Sequence, residues 1–491
     1  MKRRQQLVAF AAAGALVLAA CGSDDAEDSD TTEAPAGSEA PAGSEAPADT
    51  EAPADTEAPA DTEASDDTEA PEDTEATEDT EAPSGEAFAV DIEGCDDPDA
   101  ASAPIDGVKI GTSIPQSGGP AVLFKPFGDG MQAYVDYYNT EFGGIDGQPV
   151  ELVITDDQYT ADLTVQNVDS LIFDEQVDMF AGIIGSPNNL AVMDDLNAQC
   201  YPQLWNATGA SEWGDVEGNP WTSGLLVPYE IESKVWADYV LETYGEGAKV
   251  AIFSVNNEFG LAYVDAFTAA AEANGLEVVA TESIEAAESG APSAQMTNLV
   301  AAAPDAILAV PLGAQCIAFM TELGNAKAAN ADFAPDVYQT ATCANKVFFG
   351  AVANGGSTGV FTSSNLKDVN NPDNATDADV EKYLTAFAST GTDADPGGIA
   401  GAGWVAAELA VHVAQQAADA GNLTRQGIID ATRNIDYKAS LLREGLNYRM
   451  NAADGYIAEG TQLIVWNGDT GLFEDNGDVL DYEGSLGVFG D

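Results

Sequence analysis

Beyond residue 105 the chain alternates short apolar runs with longer amphipathic ones, and the two periods predict different elements. Val108-Lys109-Ile110-Gly111 reads as a first strand. A helix follows from about Pro120, a residue suited to a helix start, through Met131-Gln132-Ala133-Tyr134-Val135 to Tyr138. Strands are expected at 150–155, 179–184 and 201–205, with helices at 164–173 and 190–199 between them. A second series begins at Lys249. It predicts strands at 250–254, 277–280, 306–310 and 337–340, and helices at 263–274, 294–303 and 316–325.

Two successive strand–helix series predict an α/β protein built from two open parallel sheets with helices on both faces. Ligands of such sheets sit outside the carboxyl ends of the strands. With two facing sheets, those ends meet at a cleft.

The first 95 residues follow another pattern. Lys2, Arg3 and Arg4 precede an apolar run from Leu7 to Ala20, too short to span a bilayer but suited to a secretory signal. The run ends in Leu18-Ala19-Ala20-Cys21, which resembles the lipobox of bacterial lipoproteins. That resemblance implies cleavage after residue 20 and lipidation of Cys21. From Glu33 to Glu86 the chain is nine hexapeptides of the EAPAGS, EAPADT and EAPEDT kind. Between Gly22 and Cys95 there are 26 acidic residues, no basic one, and a single large aromatic, Phe88. Such a segment buries too little apolar surface to offset chain entropy, so residues 22–95 are expected to be a disordered tether. As a flexible coil it would reach roughly 45 Å. A six-residue period also suits some β-helices, but no hexad position holds a large apolar side chain to stack.

Charge narrows the function. The chain has 84 Asp and Glu against 16 Lys and Arg, a formal net charge of −68. Such a surface repels a polyanion, so no nucleic-acid partner is expected. One histidine in 491 residues argues against a histidine-based metal site, and no metal or cofactor is expected. His412 lies within a helical pattern with no neighbour suited to a triad. No Walker or G-x-G-x-x-G loop follows a strand, and Ser117-Gly118-Gly119 lacks the lysine of a phosphate loop. Paired carboxylates carry no specificity among the 58 acids after residue 95.

The ordered segments carry a family resemblance. Gly111-Thr112-Ser113-Ile114-Pro115-Gln116-Ser117-Gly118-Gly119-Pro120 is followed by Tyr138-Asn139, Gly143-Gly144-Ile145-Asp146-Gly147 and Val150-Glu151-Leu152-Val153-Ile154-Thr155-Asp156-Asp157. Gly182-Ile183-Ile184-Gly185-Ser186, Asn206-Ala207-Thr208, Ala453-Asp454-Gly455-Tyr456 and Gln462-Leu463-Ile464-Val465-Trp466 come later. This set, spanning about residues 107–470, resembles the leucine/isoleucine/valine-binding type of solute-binding protein that feeds ABC importers. The resemblance implies two Rossmann-like lobes joined by a three-strand hinge, the type I periplasmic-binding-protein fold. Lobe 1 would be residues 96–227 plus 361–437, and lobe 2 residues 228–360 plus 438–491. It further implies a monomer that closes on a small solute, hands it unaltered to a permease and ATPase complex, and, with a lipid on Cys21, works at the outer face of the cell membrane. A ligand-sensing lipoprotein of the same fold and a surface hydrolase are the alternatives.

By the same resemblance Ser186 and Thr208 would hold a ligand carboxylate, with Asn206 and Ala207 offering backbone groups. A capping serine and a turn threonine are the plain structural readings of the same residues. Phe259 would stack on the ligand from the second lobe, and Trp404, Phe124 and Tyr229 are further cleft candidates. Amino-acid binders of this family place a carboxylate after the strand that precedes Thr342, to meet the ligand ammonium; here Thr342 itself stands nearest. Either another acid, such as Glu258, supplies the charge, or the ligand is not a free amino acid. Gln315 could bond an amide or hydroxyl instead.

Four cysteines remain after Cys21, and outside the cytoplasm an even set suggests disulfides with three possible connectivities. Cys316 with Cys343 is favoured because both follow neighbouring strand ends of the second series. That leaves Cys95 with Cys200. The spacings contain no C-x-x-C pair, which argues against a zinc site.

Overall fold

The structure, a computed structural model, describes residues 88–486. The signal, the lipidation at Cys21 and most of the tether lie outside the described residues.

The first sheet contains β1 (Lys109–Ile114), β2 (Glu151–Asp156), β3 (Met179–Ala181), β4 (Gln203–Asn206) and β5 (Thr222–Gly224), all parallel, in the order β2-β1-β3-β4-β5. The second opens with β6 (Lys249–Asn256), β7 (Glu277–Glu285), β8 (Ala306–Val310), β9 (Asp336–Gln339) and β10 (Val360–Ser364). Their order, β7-β6-β8-β9-β10, repeats the winding of the first sheet. β11 (Asp436–Tyr437) and β12 (Tyr448–Arg449) form a separate short ladder. β13 (Gly460–Asn467) then adds to β10 antiparallel, with β14 (Leu472–Asp475) and β15 (Leu480–Asp481) beside it. The two parallel sheets expected from the sequence are both present, and the second carries in addition an antiparallel edge, a late hairpin that needs no crossover helix.

Helices cover both faces of the sheets. They are α1 (Pro98–Ala101), α2 (Ala121–Phe142), α3 (Ala161–Phe173), α4 (Ser186–Ala198), α5 (Tyr229–Tyr244), α6 (Glu258–Ala273), α7 (Ser293–Ala302), α8 (Ala314–Ala329), α9 (Lys346–Gly350), α10 (Ala378–Ser389), α11 (Ile399–Asp419) and α12 (Arg425–Thr432). Because both faces are covered, the central strands read as apolar runs; all of β8, Ala-Ile-Leu-Ala-Val, is buried. The chain leaves one sheet's neighbourhood for the other after β5, after β10 and after α12, the three-segment hinge that the family resemblance leads one to expect.

Two glycines decide how the helices of the first lobe pack. A methyl group at Gly130 of α2 would overlap the Ala400 carbonyl, and one at Gly403 of α11 would overlap the Phe127 carbonyl. The helices therefore cross with backbone against backbone, and α10 packs on the same surface of α2.

Both favoured cysteine pairs are formed: Cys95–Cys200 and Cys316–Cys343. Residues 88–95, placed by the sequence reading at the end of the tether, are docked onto α12. Val90 donates its N–H to Asp430 at 2.8 Å, and Asn434 exchanges two hydrogen bonds with the backbone of Phe88.

Candidate functional site

In each sheet the strand order reverses between its first and third strands, so the loops that leave β1 and β3, and β6 and β8, diverge and open a crevice. A cavity of about 1280 Å³, counting its open mouth, lies where the two crevices meet. Phe124, Tyr159, Ile184, Gly185 and Ala207 line it from the first sheet's side. Tyr229 and Glu232 come from the start of α5, Phe259 and Tyr263 from α6, and Thr342 from the turn after β9. A second end of the cavity runs past Leu366 and Val369 to Leu441, Lys346 and Arg443.

The first wall depends on glycine. Gly185 has φ 99°, and a Cβ there would stand 2.7 Å from the Tyr159 ring. The loop after β3 can therefore lie flat under Tyr159, which stacks on Phe124 at 5.5 Å with 5° between the planes. Ser186 opens α4 directly behind this loop. Its hydroxyl bonds that of Thr208 at 2.6 Å, and Thr208 bonds the Tyr229 hydroxyl at 3.0 Å. All three are buried, so the hydroxyls satisfy one another behind the ring layer, and burial pushes the Tyr229 phenol up from its usual range.

The second wall is an aromatic cluster backed by an acid. Tyr229 and Tyr263 stack at 4.1 Å, and Phe259 meets both edge-on at 5.6 and 5.5 Å. Beneath them Glu232 is 3 % exposed. Its Oε2 accepts from the hydroxyls of Tyr263 at 2.7 Å and Tyr338 at 3.0 Å, and from the Ala341 N–H at 3.4 Å. Burial raises the Glu232 carboxyl above the ordinary range, against the lowering effect of these donors. The Cys316–Cys343 bridge ties the turn that carries Thr342 to α8.

The structure thus brings Phe124, Ala207, Tyr229, Phe259 and Thr342 to one cavity and sets Ser186 and Thr208 immediately behind it. Other candidates lie elsewhere. The Asn206 side chain is buried outside the lining, without a hydrogen-bond partner. Trp404 is expected at the cleft, yet it is fully buried between α2 and α10, against Tyr134 and Tyr383, with Nε1 donating to Ser440 at 2.8 Å. Gln315 donates to the carbonyls of Glu285 and Glu288 at 3.0 and 2.7 Å, which ties the end of β7 to the start of α8 and uses up its amide. Glu258 is exposed and is not part of the lining. His412 stacks on Tyr437 at 3.9 Å, also away from the lining.

The sequence reading misses Glu232. Its signal is the spacing Tyr229, Glu232, Ser233, Trp236, one face of a helix, within a segment that carries no earlier helix assignment. Away from the cavity, Asp454, Glu459 and Glu483 form a carboxylate trio. Glu459 and Glu483 are both pushed up to about 7, by burial and by neighbouring carboxylates.

Residues 107–469 match the family described as "Periplasmic binding protein". No curated protein matches the chain. Among solved structures the chain is similar to a branched-chain amino acid ABC transporter protein from Thermus thermophilus with bound valine, at 15 % identity and TM-score 0.67, covering 77 % of this chain and 97 % of that one. It is similar to a fatty acid ABC transporter substrate-binding protein from Thermomonospora curvata, at 17 % identity and TM-score 0.66, covering 78 % and 94 %. It is also similar to a solute-binding protein from R. palustris in complex with 4-hydroxybenzoate, at 18 % identity and TM-score 0.64, covering 77 % and 97 %.

Proposed function

This chain belongs to the periplasmic binding protein family, and from that premise we propose that it captures a small organic solute with an apolar or aromatic body and delivers it unaltered to an ABC importer. The observation that carries this reading is the cavity itself. Phe124 and Tyr159 face it from one sheet's side, and Phe259 and Tyr263 from the other. Hinge closure between two such walls dehydrates the solute and strengthens each polar contact inside. The closed form is what a permease distinguishes from the empty one. The proposed contacts are Phe124, Ala207, Tyr229, Phe259 and Thr342, with the hydroxyls of Ser186 and Thr208 behind them.

The lipobox-like Leu18-Ala19-Ala20-Cys21 supports removal of residues 1–20 and anchoring through a lipid on Cys21. The acidic repeats then serve as a leash that lets the folded body work away from the membrane surface. The body itself is a hinged pair of lobes, residues 96–227 with 361–437 and 228–360 with 438–491, acting as a monomer without catalysis.

Native mass spectrometry of the purified protein tests the reading. The expected result is a retained small molecule whose mass is the same after release and rebinding. Chemical conversion of that molecule by the isolated protein, or failure to retain any member of an amino-acid, aromatic-acid and fatty-acid panel, would overturn it.

A further inference from the structure

We infer that the end of the cavity where α11 begins is an anion subsite, which takes the carboxylate of a solute whose apolar body lies against the aromatic walls. The inference rests on the solute-capture reading above and adds the chemistry of the solute's polar end. It places that carboxylate away from Ser186 and Thr208, whose hydroxyls bond each other behind the ring layer and do not line the cavity.

The charge of the lining is the first argument. The body holds 13 bases, the chain's 16 less Lys2, Arg3 and Arg4, against 58 acids. The cavity reverses that ratio: its charged lining is Lys346, Lys367 and Arg443 against Glu232 and Asp368. Lys367 is bonded to Asp377 at 2.7 Å and Arg443 to Asp475 at 2.9 Å. Lys346 forms no ion pair among the described residues. On so acidic a body, a lining of this kind is where an anion can be admitted.

The start of α11 is the second argument. The helix is 21 residues long, with no side-chain cap at Gly398 and no acid in its first turn. The N–H groups of Ile399, Ala400 and Gly401 have no acceptor within the helix, and Ala402 is the first to bond, to the Gly398 carbonyl at 3.1 Å. Gly398, Ile399 and Gly401 line the cavity, so the positive end of the helix opens into it.

Asn345 is the third and independent argument. Its Oδ1 accepts from the Val347 N–H at 2.7 Å, which assigns the other end of the amide as the donor. That donor, Nδ2, lies 3.8 Å from where a side chain at Gly398 would begin. Asn345 is only 8 % exposed, yet Nδ2 donates to no described residue. A buried donor left without an acceptor is costly, and a carboxylate between Asn345 and the start of α11 supplies one. Glycine permits the approach: Gly398 has φ 58°, and a Cβ there would stand 2.6 Å from the Ala344 carbonyl oxygen.

Two acids stand nearby. Asp395 is occupied, its Oδ1 accepting from Asn370 at 3.0 Å and from the Gly397 N–H at 2.8 Å. Burial pushes the Asp368 carboxyl up toward its neutral form, against the pull of the Asn370 N–H, Lys346 and Arg443.

The test is titration calorimetry and thermal shift on the full chain with benzoate, 3-phenylpropionate and 5-phenylpentanoate, each beside its neutral primary amide. The acids are expected to bind more tightly than their amides. Asn345→Asp keeps the oxygen that caps α9 and replaces the donor with a negative charge. It should weaken the best-bound acid roughly 10- to 100-fold while its amide changes little. Lys346→Met should weaken the same acid by about 3-fold. Amides that bind as tightly as the acids overturn the inference. So does an acid preference that survives both substitutions, since the carboxylate then sits elsewhere, or the absence of binding by every acid. If Asn345→Asp does not fold, Lys346→Met and the wild-type acid and amide pairs decide. In each of those failures, binding of an amide, another acid site or a co-purified solute leaves solute capture standing, whereas a protein that retains none of these counts against capture itself.

Discussion

Behind the first sheet's wall of the cavity stand hydroxyls that bond one another, and behind the second's stands a buried carboxyl group held by tyrosine hydroxyls and a backbone N–H. Both walls come from the same strand order, so winding does not explain the difference. It arises in the segments that follow the strands. After β3 and β4 come Ser186 and Thr208, short side chains that close on each other behind a flat glycine loop. On the other side the turn after β9 supplies Ala341, Thr342 and Ala344, none of them an acid, and the carboxyl group beside it, Glu232, comes from α5. A shared fold therefore fixes where chemistry can be placed, and the connecting segments decide which chemistry it is.

The two disulfides separate the walls most strongly. Cys95–Cys200 closes 105 residues and Cys316–Cys343 closes 27. Loop-closure entropy gives about 5 kcal/mol for the first and about 3.5 kcal/mol for the second. In urea denaturation the Cys95→Ser/Cys200→Ser protein should lose more stability than Cys316→Ser/Cys343→Ser. Solute affinity should fall only in the second, because that bridge holds the turn of Thr342. Equal loss of affinity in both would break the distinction between a remote staple and one that shapes the cavity.

Next in size is the hydroxyl relay. Thr208→Ala leaves the buried hydroxyls of Ser186 and Tyr229 without their shared partner and should weaken solute binding by about 1–3 kcal/mol in calorimetry, whereas Ser186→Ala, in which Thr208 keeps Tyr229, should weaken it less. Unchanged affinity in both would mean the first wall contributes shape alone.

A smaller effect concerns pH. Glu459 and Glu483 have their carboxyls raised from 4.5 to about 7. Below the lower value the folded and unfolded chains both hold these protons, and between the two values only the folded chain does. Stability should therefore fall as pH rises from about 4.5 to about 7, then level off. Melting scans at pH 5 and pH 8 check this, and added salt should narrow the gap by screening the acids. A higher melting temperature at pH 8 would contradict it.

The smallest effect is expected from the leash. Deleting residues 22–87 should leave affinity unchanged. Extending the deletion through residue 95 should lower the melting temperature, because it removes the contacts of Phe88 and Val90 with α12 and the Cys95 bridge.

Much of the architecture is legible in the sequence because parallel strands covered on both faces must be apolar runs, and β6 and β8 are. Phe259 and Tyr229 stand out as aromatics beside strand ends or lobe crossings. Glu232 does not: one carboxylate among 58 in the body carries no mark until the fold brings Tyr263 and Tyr338 to it. Trp404 misleads for the opposite reason. The family resemblance suggests a cleft aromatic there, but α11 is covered by neighbours and the indole fills space between helices. Gln315 misleads because its amide is consumed by backbone carbonyls, a bond that depends on the course of the loop after β7.

The contact of Gly130 with Ala400, and of Gly403 with Phe127, bears on what happens when a solute arrives. Two rods that touch through their main chains have no cushion of side chains to compress or slide. That half of the molecule then answers a load as a single stiff piece, and displacement collects in the three strands of chain that join it to its neighbour. A bulkier residue at either glycine would act like a shim in a bearing: it would prise the rods apart and let a push at the cavity dissipate locally before it reached the outside surface.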